Sequence, residues 1–291
     1  MSLAPRAVLV HRRTELDELL QRHGSRGQAA FYLRTRGRDI AEVEQRHAAT
    51  QAAIREVTAS IPIDWRRGSV ERADLSRFLF AADDIVVVVG QDGLVANVAK
   101  YLDGQLVIGI DPEPGRNAGV LVTHTPAQTA KLLRARGEVE GRTMVSARTD
   151  DGLELIALNE IYLGHASHQT ARYTITLPDG RNEAQASSGL ITATGTGATG
   201  WCASAALERH SALPLPAPVE RRVAWFVREA WPSPVTGTAL TEGSLADALT
   251  VTVASDRLVA FGDGIESDAL TLSWGQSVQL SVADRVLNLV H

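Results

Sequence analysis

The segment Gly90-Gln91-Asp92-Gly93 places a carboxylate inside a glycine turn. It directly follows Ile85–Val89, whose five apolar β-branched residues predict a strand buried on both faces of a parallel sheet. Apolar residues then recur at helical spacing, at Leu94, Val95, Val98 and Leu102. The turn therefore leads from a strand into a helix N-terminus, which attracts anions such as phosphates. Asp92 would supply an acid/base group or a metal ligand there, unless it only caps the helix.

A Walker-type phosphate site is excluded by the scarcity of lysine. Lys100 and Lys131 are the only lysines in the chain, and neither stands where the motif GxxxxGK[ST] requires one. An anion at the turn over residues 90–93 would instead meet backbone amides, which the glycines let it approach closely.

A second glycine turn, Gly195–Gly200, follows a predicted strand and satisfies the dinucleotide pattern G-x-G-x-x-G. The helix after it runs into the proline-rich segment Leu213–Pro218 and not into a second parallel strand, which disfavours a Rossmann dehydrogenase. Two interpretations of the turn remain. It binds a ligand through its backbone amides, the hydroxyls of Thr194, Thr196 and Thr199, and the indole of Trp201, or it is only a tight turn required for packing.

Asn159-Glu160 interrupts the apolar strand predicted over residues 153–162. If that strand continues, the two side chains point to opposite faces. An asparagine amide suits an adenine edge or ribose hydroxyls, while the alternative is an irregularity in an edge strand. His165 and His168 have no carboxylate or cysteine nearby at metal-ligand spacing, so we expect loop histidines and no metal held by protein ligands alone.

The elements that must position these residues divide the chain near residue 140. In the first part strands alternate with helices, which indicates an α/β domain over residues 1–140 with a doubly wound parallel sheet, whose ligand lies beyond the strand C-termini. Its strands are predicted over residues 7–10, 85–89 and 105–110, and its helices over residues 14–23, 39–59, 71–80, 94–102 and 126–136.

After residue 137 strands of period two dominate, with one helix predicted over residues 201–210. The pattern predicts an antiparallel, β-sandwich-like domain over residues 141–291. Its strands are predicted over residues 142–147, 153–162, 171–177, 183–194, 221–229, 248–255, 257–261, 269–274, 277–282 and 285–290.

Composition narrows the functional classes. The 291 residues are 44% hydrophobic and 22% charged, with a net charge of −5, and scattered arginines give no basic face for nucleic acid or for a membrane surface. No apolar run approaches the roughly 18 residues of a membrane span. The single cysteine, Cys202, excludes internal disulfides and fits a reducing compartment. We therefore expect a cytoplasmic protein that binds neither nucleic acid nor membranes.

Five of these segments occur in the order seen in NAD kinases. They are GQDG at residues 90–93, VIGIDPEPGRNAG at 107–119, ALNEIYLG at 157–164, SSGLITATGTGATGW at 187–201 and GDG at 262–264. The chain resembles this family over about residues 84–291. Within the family it is most similar to the divergent mitochondrial-type enzymes, which share the serine before Gly-Leu and the TGTG-x-x-W turn.

The resemblance implies an NAD kinase/diacylglycerol kinase-like fold and ATP-dependent phosphorylation of the adenosine-ribose 2′-hydroxyl of NAD, with Mg²⁺ bridging the ATP phosphates. Asp92 would be the catalytic carboxylate that accepts the hydroxyl proton, and it is also a candidate Mg²⁺ ligand. The family also implies a homodimer or homotetramer. The residues expected to contact NAD or the phosphates are Gly90, Gln91, Gly93, Asn159, Glu160, Ser188, Thr194, Thr196, Gly197, Thr199, Trp201 and Asp263.

The chain departs from the family pattern at three positions. The usual GGDGT is GQDGL here, so Gln91 replaces a glycine and Leu94 replaces a threonine hydroxyl near the phosphates. Ser188 stands where most members have aspartate. Two alternatives therefore stay open: a lipid or sugar kinase of the same fold, and a non-catalytic dinucleotide-binding sensor.

Overall fold

A computed structural model of the chain describes residues 4–116, 119–135, 137–167 and 169–291. The chain forms two compact units. The first contains the residues up to Glu140 together with Asn288–His291, and the second contains Gly141–Leu287. The predicted division kept residues 141–291 together, whereas in the structure the last four residues group with the first unit.

The first unit contains a parallel sheet. Its strands are β1 (Arg6–His11), β2 (Arg66–Glu71), β3 (Asp84–Val89) and β4 (Leu106–Ile110). They pair in the order β2-β1-β3-β4, and Asn288 and Leu289 from the end of the chain pair with β4 in the same parallel sense. Every residue of β3 is buried, as its run of apolar residues predicted.

Helices cover both faces of this sheet. They are α1 (Glu15–His23), α2 (Arg26–Arg34), α3 (Ile40–Ser60), α4 (Asp92–Ala99) and α5 (Thr129–Ala135). Val57 of α3 and Leu133 of α5 share one core cluster with Val87 of β3. Val86 and Val88 alternate with that residue, so they point to the opposite face, and they are also buried. Helix α4 packs against β3 and β4.

The order of the strands reverses at β1. The chain adds β2 on one side of β1 and later adds β3 on the other side. In an open α/β sheet, a crevice for ligands opens at the C-terminal ends of the strands where the order reverses. The ends of β1 and β3 therefore mark the place for a ligand in this unit.

The second unit is built from two antiparallel sheets whose inner side chains form one core. One sheet contains residues of β5 (Val139–Thr149), β6 (Glu154–Ala157), β8 (Ala171–Thr176), β9 (Asn182–Ser187), β13 (Leu249–Val253) and β16 (Ser277–Val290). The other contains β7 (Glu160–Gly164), β10 (Leu190–Ala193), β11 (Val223–Val227), β12 (Glu242–Leu245), β14 (Arg257–Gly262) and β15 (Leu270–Ser273). One helix, α6 (Trp201–Glu208), follows β10. Tyr173 of the first sheet and Trp225 of the second are both buried in the shared core, which is the arrangement of a β-sandwich.

Four predicted strands are wrong in their extent. The strand predicted over residues 153–162 is two strands, β6 and β7, because the chain passes from one sheet to the other at Leu158-Asn159. The strand predicted over residues 183–194 divides in the same way into β9 and β10 at Ser188-Gly189, where Gly189 has a φ of 114°. Conversely, the two strands predicted over residues 277–290 are the single strand β16.

Other elements lack a clear sequence signal. The sequence did not predict α2, β2 or β12, and among the six residues of β2 only Val70 is buried. The helix predicted over residues 71–80 is a 3₁₀ segment, Arg72–Arg77. The helix predicted over residues 126–136 begins as a 3₁₀ turn and continues as α5, while Arg136 lies outside the described residues. In the described part of the chain, no helix is long and apolar enough to cross a membrane.

Arg6→Met tests the ion pair between β1 and β3. Arg6 Nε and Nη2 donate to the two carboxylate oxygens of buried Asp84 at 2.7 and 2.6 Å. Without the guanidinium this carboxylate is buried and uncompensated, so we expect the free energy of unfolding in urea to fall by about 3–5 kcal/mol. Arg66→Met breaks the exposed pair with Asp83 (2.8 Å) and should cost less than about 1 kcal/mol. Equal losses in the two variants would contradict this account.

Candidate functional site

Asp263 anchors the corner at which the chain passes from β6 to β7. It directly follows β14 and has a left-handed backbone conformation, with a φ of 52°. Its carboxylate accepts hydrogen bonds from the backbone N–H groups of Leu158, Asn159 and Glu160 at 2.8, 2.7 and 3.3 Å. Its own N–H donates to the Glu160 carbonyl at 3.1 Å. The backbone of the corner is therefore fixed, and its donors are satisfied.

Thr194, just after β10, fixes the same corner from the other side. Its N–H donates to the Asn159 carbonyl at 2.9 Å, and its hydroxyl donates to the Leu158 carbonyl at 2.6 Å. The hydroxyl also accepts hydrogen bonds from the N–H groups of Thr196 and Gly197 at 3.1 and 3.3 Å. This one side chain therefore joins the corner to the glycine turn.

The glycine turn packs backbone against backbone. A Cβ atom at Gly197 would lie 2.2 Å from the Asn159 carbonyl oxygen, and one at Gly195 would lie 2.1 Å from the Ala217 carbonyl. Only glycine fits at either position. The next strand after the turn and α6 is β11, which is antiparallel to β10, so the turn is not part of a βαβ unit.

The side chains of Asn159 and Glu160 are half-buried, and neither makes a hydrogen bond within the described residues. Burial, with a smaller contribution from the negative charge of Asp263, raises the pKa of Glu160 to about 7. Burial and the nearby Glu160 raise the pKa of the Cys202 thiol to about 12, so this thiol is protonated at neutral pH. Of the Glu160 carboxyl and the Cys202 thiol, Glu160 is the group with a pKa near neutral pH.

An aromatic cluster lies beside the glycine turn. Trp201 stacks on Tyr162 with ring centroids 5.8 Å apart and an interplanar angle of 17°, and Tyr162 lies 5.0 Å from Phe261. The Tyr162 hydroxyl donates to the Ser188 carbonyl at 2.9 Å, and the Arg228 guanidinium lies 5.2 Å from the Trp201 ring. Trp201 remains 37% exposed, so part of the indole is accessible to a ligand.

The hydroxyls of the turn differ in their partners. The Thr199 hydroxyl donates to the Thr196 carbonyl at 2.9 Å. The Thr196 hydroxyl is buried and has no hydrogen-bond partner among the described residues. Because buried hydroxyls are normally paired, the Thr196 hydroxyl is a candidate contact for a bound ligand.

In the first unit, Asp92 is the first residue of α4 and faces the loop that follows β4. Its carboxylate accepts hydrogen bonds from the N–H groups of Val120, Leu121 and Val122 at 2.8, 3.0 and 3.0 Å. The alternative prediction that Asp92 only caps the helix is wrong, because Gln91 holds the N-cap position. Asp92 anchors a loop, as Asp263 does in the second unit.

The neighbours of Asp92 point in different directions. Gln91 is exposed, and Gly93 is exposed with open space where a Cβ atom would be. Leu94 is 3% exposed and packs 3.0 Å from where a Cβ atom of Gly90 would lie. Leu94 therefore belongs to the core of the first unit, and a buried apolar side chain stands where the family pattern GGDGT has a threonine.

A crevice of about 350 Å³ opens at the C-terminal ends of β1 and β3. It is lined by the predicted residues Gly90 and Gln91, but not by Asp92 or Gly93. Four further lining residues have side chains that can bind an anion, and the sequence analysis missed them: Arg12, Arg13, Arg46 and His47. The sequence did contain a signal for this crevice, the pair Arg12-Arg13 directly after a strand. We did not single out this pair, because arginines are scattered along the whole chain.

The guanidinium groups of this crevice are held by acids. Arg46 pairs with Glu15 at 2.8 Å, and Arg12 lies 3.6 Å from Glu18. His47 Nδ1 lies 2.7 Å from the hydroxyl of Thr14, which caps α1. Each arginine keeps further N–H groups beyond those in its ion pair, so the crevice can present oriented donors to phosphate oxygens.

No group of three or more His, Cys, Asp or Glu side chains is placed to hold a metal ion within residues 4–116, 119–135, 137–167 and 169–291. His165 Nδ1 accepts a hydrogen bond from the Ser167 N–H at 3.1 Å. His168 lies outside the described residues.

A first unit with a parallel sheet and helices and a second unit of antiparallel sheets are compatible with the two-domain fold of NAD kinases. No family model matches the chain. Over 141 residues the chain is 28% identical to the NAD kinase of Chlorobaculum tepidum, a match that covers 46% of this chain and 47% of that relative. The chain thus aligns with about half the length of the curated relative, which supports a relationship to NAD kinases at the level of the family.

Thr194→Val and Thr192→Val form a matched test of the corner. Both threonines are fully buried, but only the Thr194 hydroxyl has partners, whereas that of Thr192 has none in the described part of the chain. Thr194→Val leaves buried backbone groups unpaired, so we expect the free energy of unfolding to fall by about 1–3 kcal/mol. Thr192→Val should be neutral or slightly stabilising in the same chemical denaturation experiment. A comparable loss in both variants would show that the hydroxyl contacts of Thr194 contribute nothing.

Proposed function

We propose that the protein is an ATP-dependent NAD kinase, which phosphorylates the adenosine-ribose 2′-hydroxyl of NAD to give NADP. The observation that carries the proposal is the Asn159-Glu160 corner. It presents an amide and a carboxylate that have no hydrogen-bond partner among the described residues, beside a buried hydroxyl and a partly exposed indole. These groups suit an adenine edge, ribose hydroxyls and a stacked base. The similarity to a bacterial NAD kinase supports the same function.

Within the family, we propose a relationship to the mitochondrial-type enzymes. The support is Ser188 and the TGTG-x-x-W turn in the sequence. The contacts of Ser188 are made by its backbone. Its N–H donates a hydrogen bond to the Arg228 carbonyl at 2.9 Å, and its carbonyl accepts a hydrogen bond from the Tyr162 hydroxyl. Ser188 therefore supports the ring on which Trp201 stacks. Assembly as a homodimer or homotetramer belongs to the same proposal, and light scattering after gel filtration tests it.

We assign the phosphates of ATP to the crevice of the first unit. The N-termini of α1 and α4 open toward it, and Arg12, Arg13 and Arg46 line it. Mg²⁺ usually keeps several waters and takes one or two carboxylates besides the phosphates, so the lack of a three-ligand cluster is compatible with Mg²⁺ carried by ATP. When bound, the ion would neutralise phosphate charge, with Asp111 and Glu113 at the crevice and Asp92 on the neighbouring helix as candidate ligands.

Product analysis tests this function. The protein is incubated with ATP, Mg²⁺ and, in separate reactions, NAD, NADH, diacylglycerol and a panel of sugars. We expect NADP to form from NAD, with the new phosphate on the 2′-oxygen. A phosphorylated lipid or sugar would favour the other kinases of this fold. Tight NAD binding without any product would favour a sensor.

Trp201→Ala tests the predicted NAD contact. If the accessible part of the indole stacks on a base, its loss should weaken NAD binding by about 1–3 kcal/mol, which is roughly 5- to 150-fold, and leave ATP binding nearly unchanged. Trp231→Ala is the control, because Trp231 is similarly exposed (41%) and lies outside the aromatic cluster. Calorimetric titration measures both affinities. Equal losses for NAD and ATP would show that Trp201 only supports packing.

Gln91→Gly tests the donor site. The Gln91 side chain is exposed and lines the crevice, so its removal should open space near the phosphates and lower the KM for ATP without changing the affinity for NAD. Leu94→Thr is the companion variant. Because Leu94 is buried, this change should lower the free energy of unfolding by about 1–3 kcal/mol and should not lower the KM for ATP. A higher KM for ATP in Gln91→Gly would instead make the Gln91 amide a donor contact.

A further inference from the structure

We propose that His47 contacts the phosphates of ATP only in its protonated form, so that the first unit takes up a proton when it binds the nucleotide. This inference rests on the proposed function, which assigns those phosphates to the crevice at the ends of β1 and β3. It concerns the first unit alone, because every described residue that lines the crevice belongs to that unit.

Thr14 and Asp17 fix the position of the hydrogen on the His47 ring. The Thr14 hydroxyl donates its only proton to an oxygen of the Asp17 carboxylate at 2.8 Å. The same hydroxyl lies 2.7 Å from His47 Nδ1, so it can only accept there, and Nδ1 must carry a hydrogen. Side chains at the start of α1 therefore determine the tautomer of a histidine on α3.

The other ring nitrogen of His47 is left for a ligand. Nε2 has no hydrogen-bond partner within the residues that the structure describes, and the side chain is 27% exposed where it lines the crevice. In the neutral ring, Nε2 carries a lone pair, which repels a phosphate oxygen. In the protonated ring both nitrogens donate, and the hydrogen bond from Nε2 to a phosphate is charge-assisted. The contact with a phosphate therefore requires the protonated ring.

The charges around His47 favour this proton when an anion is bound. Three arginines line the crevice, namely Arg12, Arg13 and Arg46. Four acids line it as well, namely Glu15, Glu18, Asp111 and Glu113. A further acid, Asp17, lies 3.7 Å from His47 Nδ1. Because the acids outnumber the arginines, a proton on His47 offsets negative charge that the phosphates would otherwise meet.

A second histidine is close to the same acids. His11, the last residue of β1, lies within the electrostatic influence of Asp17 and Glu71. Burial outweighs these acids and lowers the pKa of His11, so this ring is neutral at pH 7. Proton uptake near neutral pH is therefore assigned to His47.

Calorimetric titration of the whole chain with ATP and Mg²⁺ tests this uptake, with His47→Gln as the comparison. The glutamine stays polar but carries no charge, and the ionisation of ATP itself is the same for both proteins. Because His47 loses its proton as the pH rises, the wild type should bind ATP about tenfold more tightly than His47→Gln at pH 6 and about equally at pH 8. Titrations at pH 7 in two buffers of different ionisation enthalpy should show that the wild type takes up a larger fraction of a proton than the variant.

Three further variants complete the design. Thr14→Ser keeps the hydroxyl and should keep the wild-type pH dependence. Thr14→Val removes the acceptor for His47 Nδ1–H, so the pH dependence should weaken, and circular dichroism checks that α1 is retained. An unchanged pH dependence in Thr14→Val would remove Thr14 from this role. His165→Gln is the control, because it removes a loop histidine of the second unit and should bind ATP as the wild type does.

The outcomes separate this inference from the proposed function. The same pH dependence of ATP affinity in the wild type and in His47→Gln would overturn the inference, even if the protein forms NADP. Proton uptake that depends on His47, in a protein that forms no NADP from NAD and ATP, would support the inference and overturn the proposed function. A wild type that does not bind ATP would overturn both.

Discussion

The carboxylate of Asp263 satisfies three consecutive backbone N–H groups at the point where the chain leaves one sheet of the sandwich for the other. A sandwich corner must turn the chain out of its ladder, which leaves backbone donors without strand partners. The Asp263 carboxylate, directly after β14, accepts these hydrogen bonds in place of a neighbouring strand. The left-handed backbone conformation of Asp263 is the strain that this placement requires. The positions of Asn159 and Glu160 follow from it, and so does the close approach of Gly197.

The same device occurs in the first unit, where Asp92 satisfies three amides of the loop after β4. In both units an aspartate beside a glycine in a short motif organises loop backbone. This explains why those motifs need carboxylates for the fold itself, in addition to any contact with a ligand.

The sequence predicted the elements whose signal is local. Five buried β-branched residues and the glycine turn were sufficient to predict β3 and the helix after it. The corner at Asn159 was not predictable as a corner, because the partner that forces it, Asp263, lies 104 residues away. Without that contact, residues 153–162 look like one strand with a polar interruption. The crevice was missed for a similar reason: Arg12, directly after β1, and Arg46, on α3, line the same crevice although they lie far apart in the sequence. In the second unit the resemblance named Asp263, Thr194 and the Asn159-Glu160 pair, and the structure joins these residues by hydrogen bonds at one corner.

The proposed NAD site consists of the Asp263-clamped corner and the glycine turn. Hydrogen–deuterium exchange of the wild-type protein, measured with and without NAD, tests it most directly. We expect NAD to slow exchange in peptides that span residues 158–163 and 194–202, with little change at residues 120–122. Unchanged exchange in those two peptides at saturating NAD, with protection confined to the first unit, would contradict the claim.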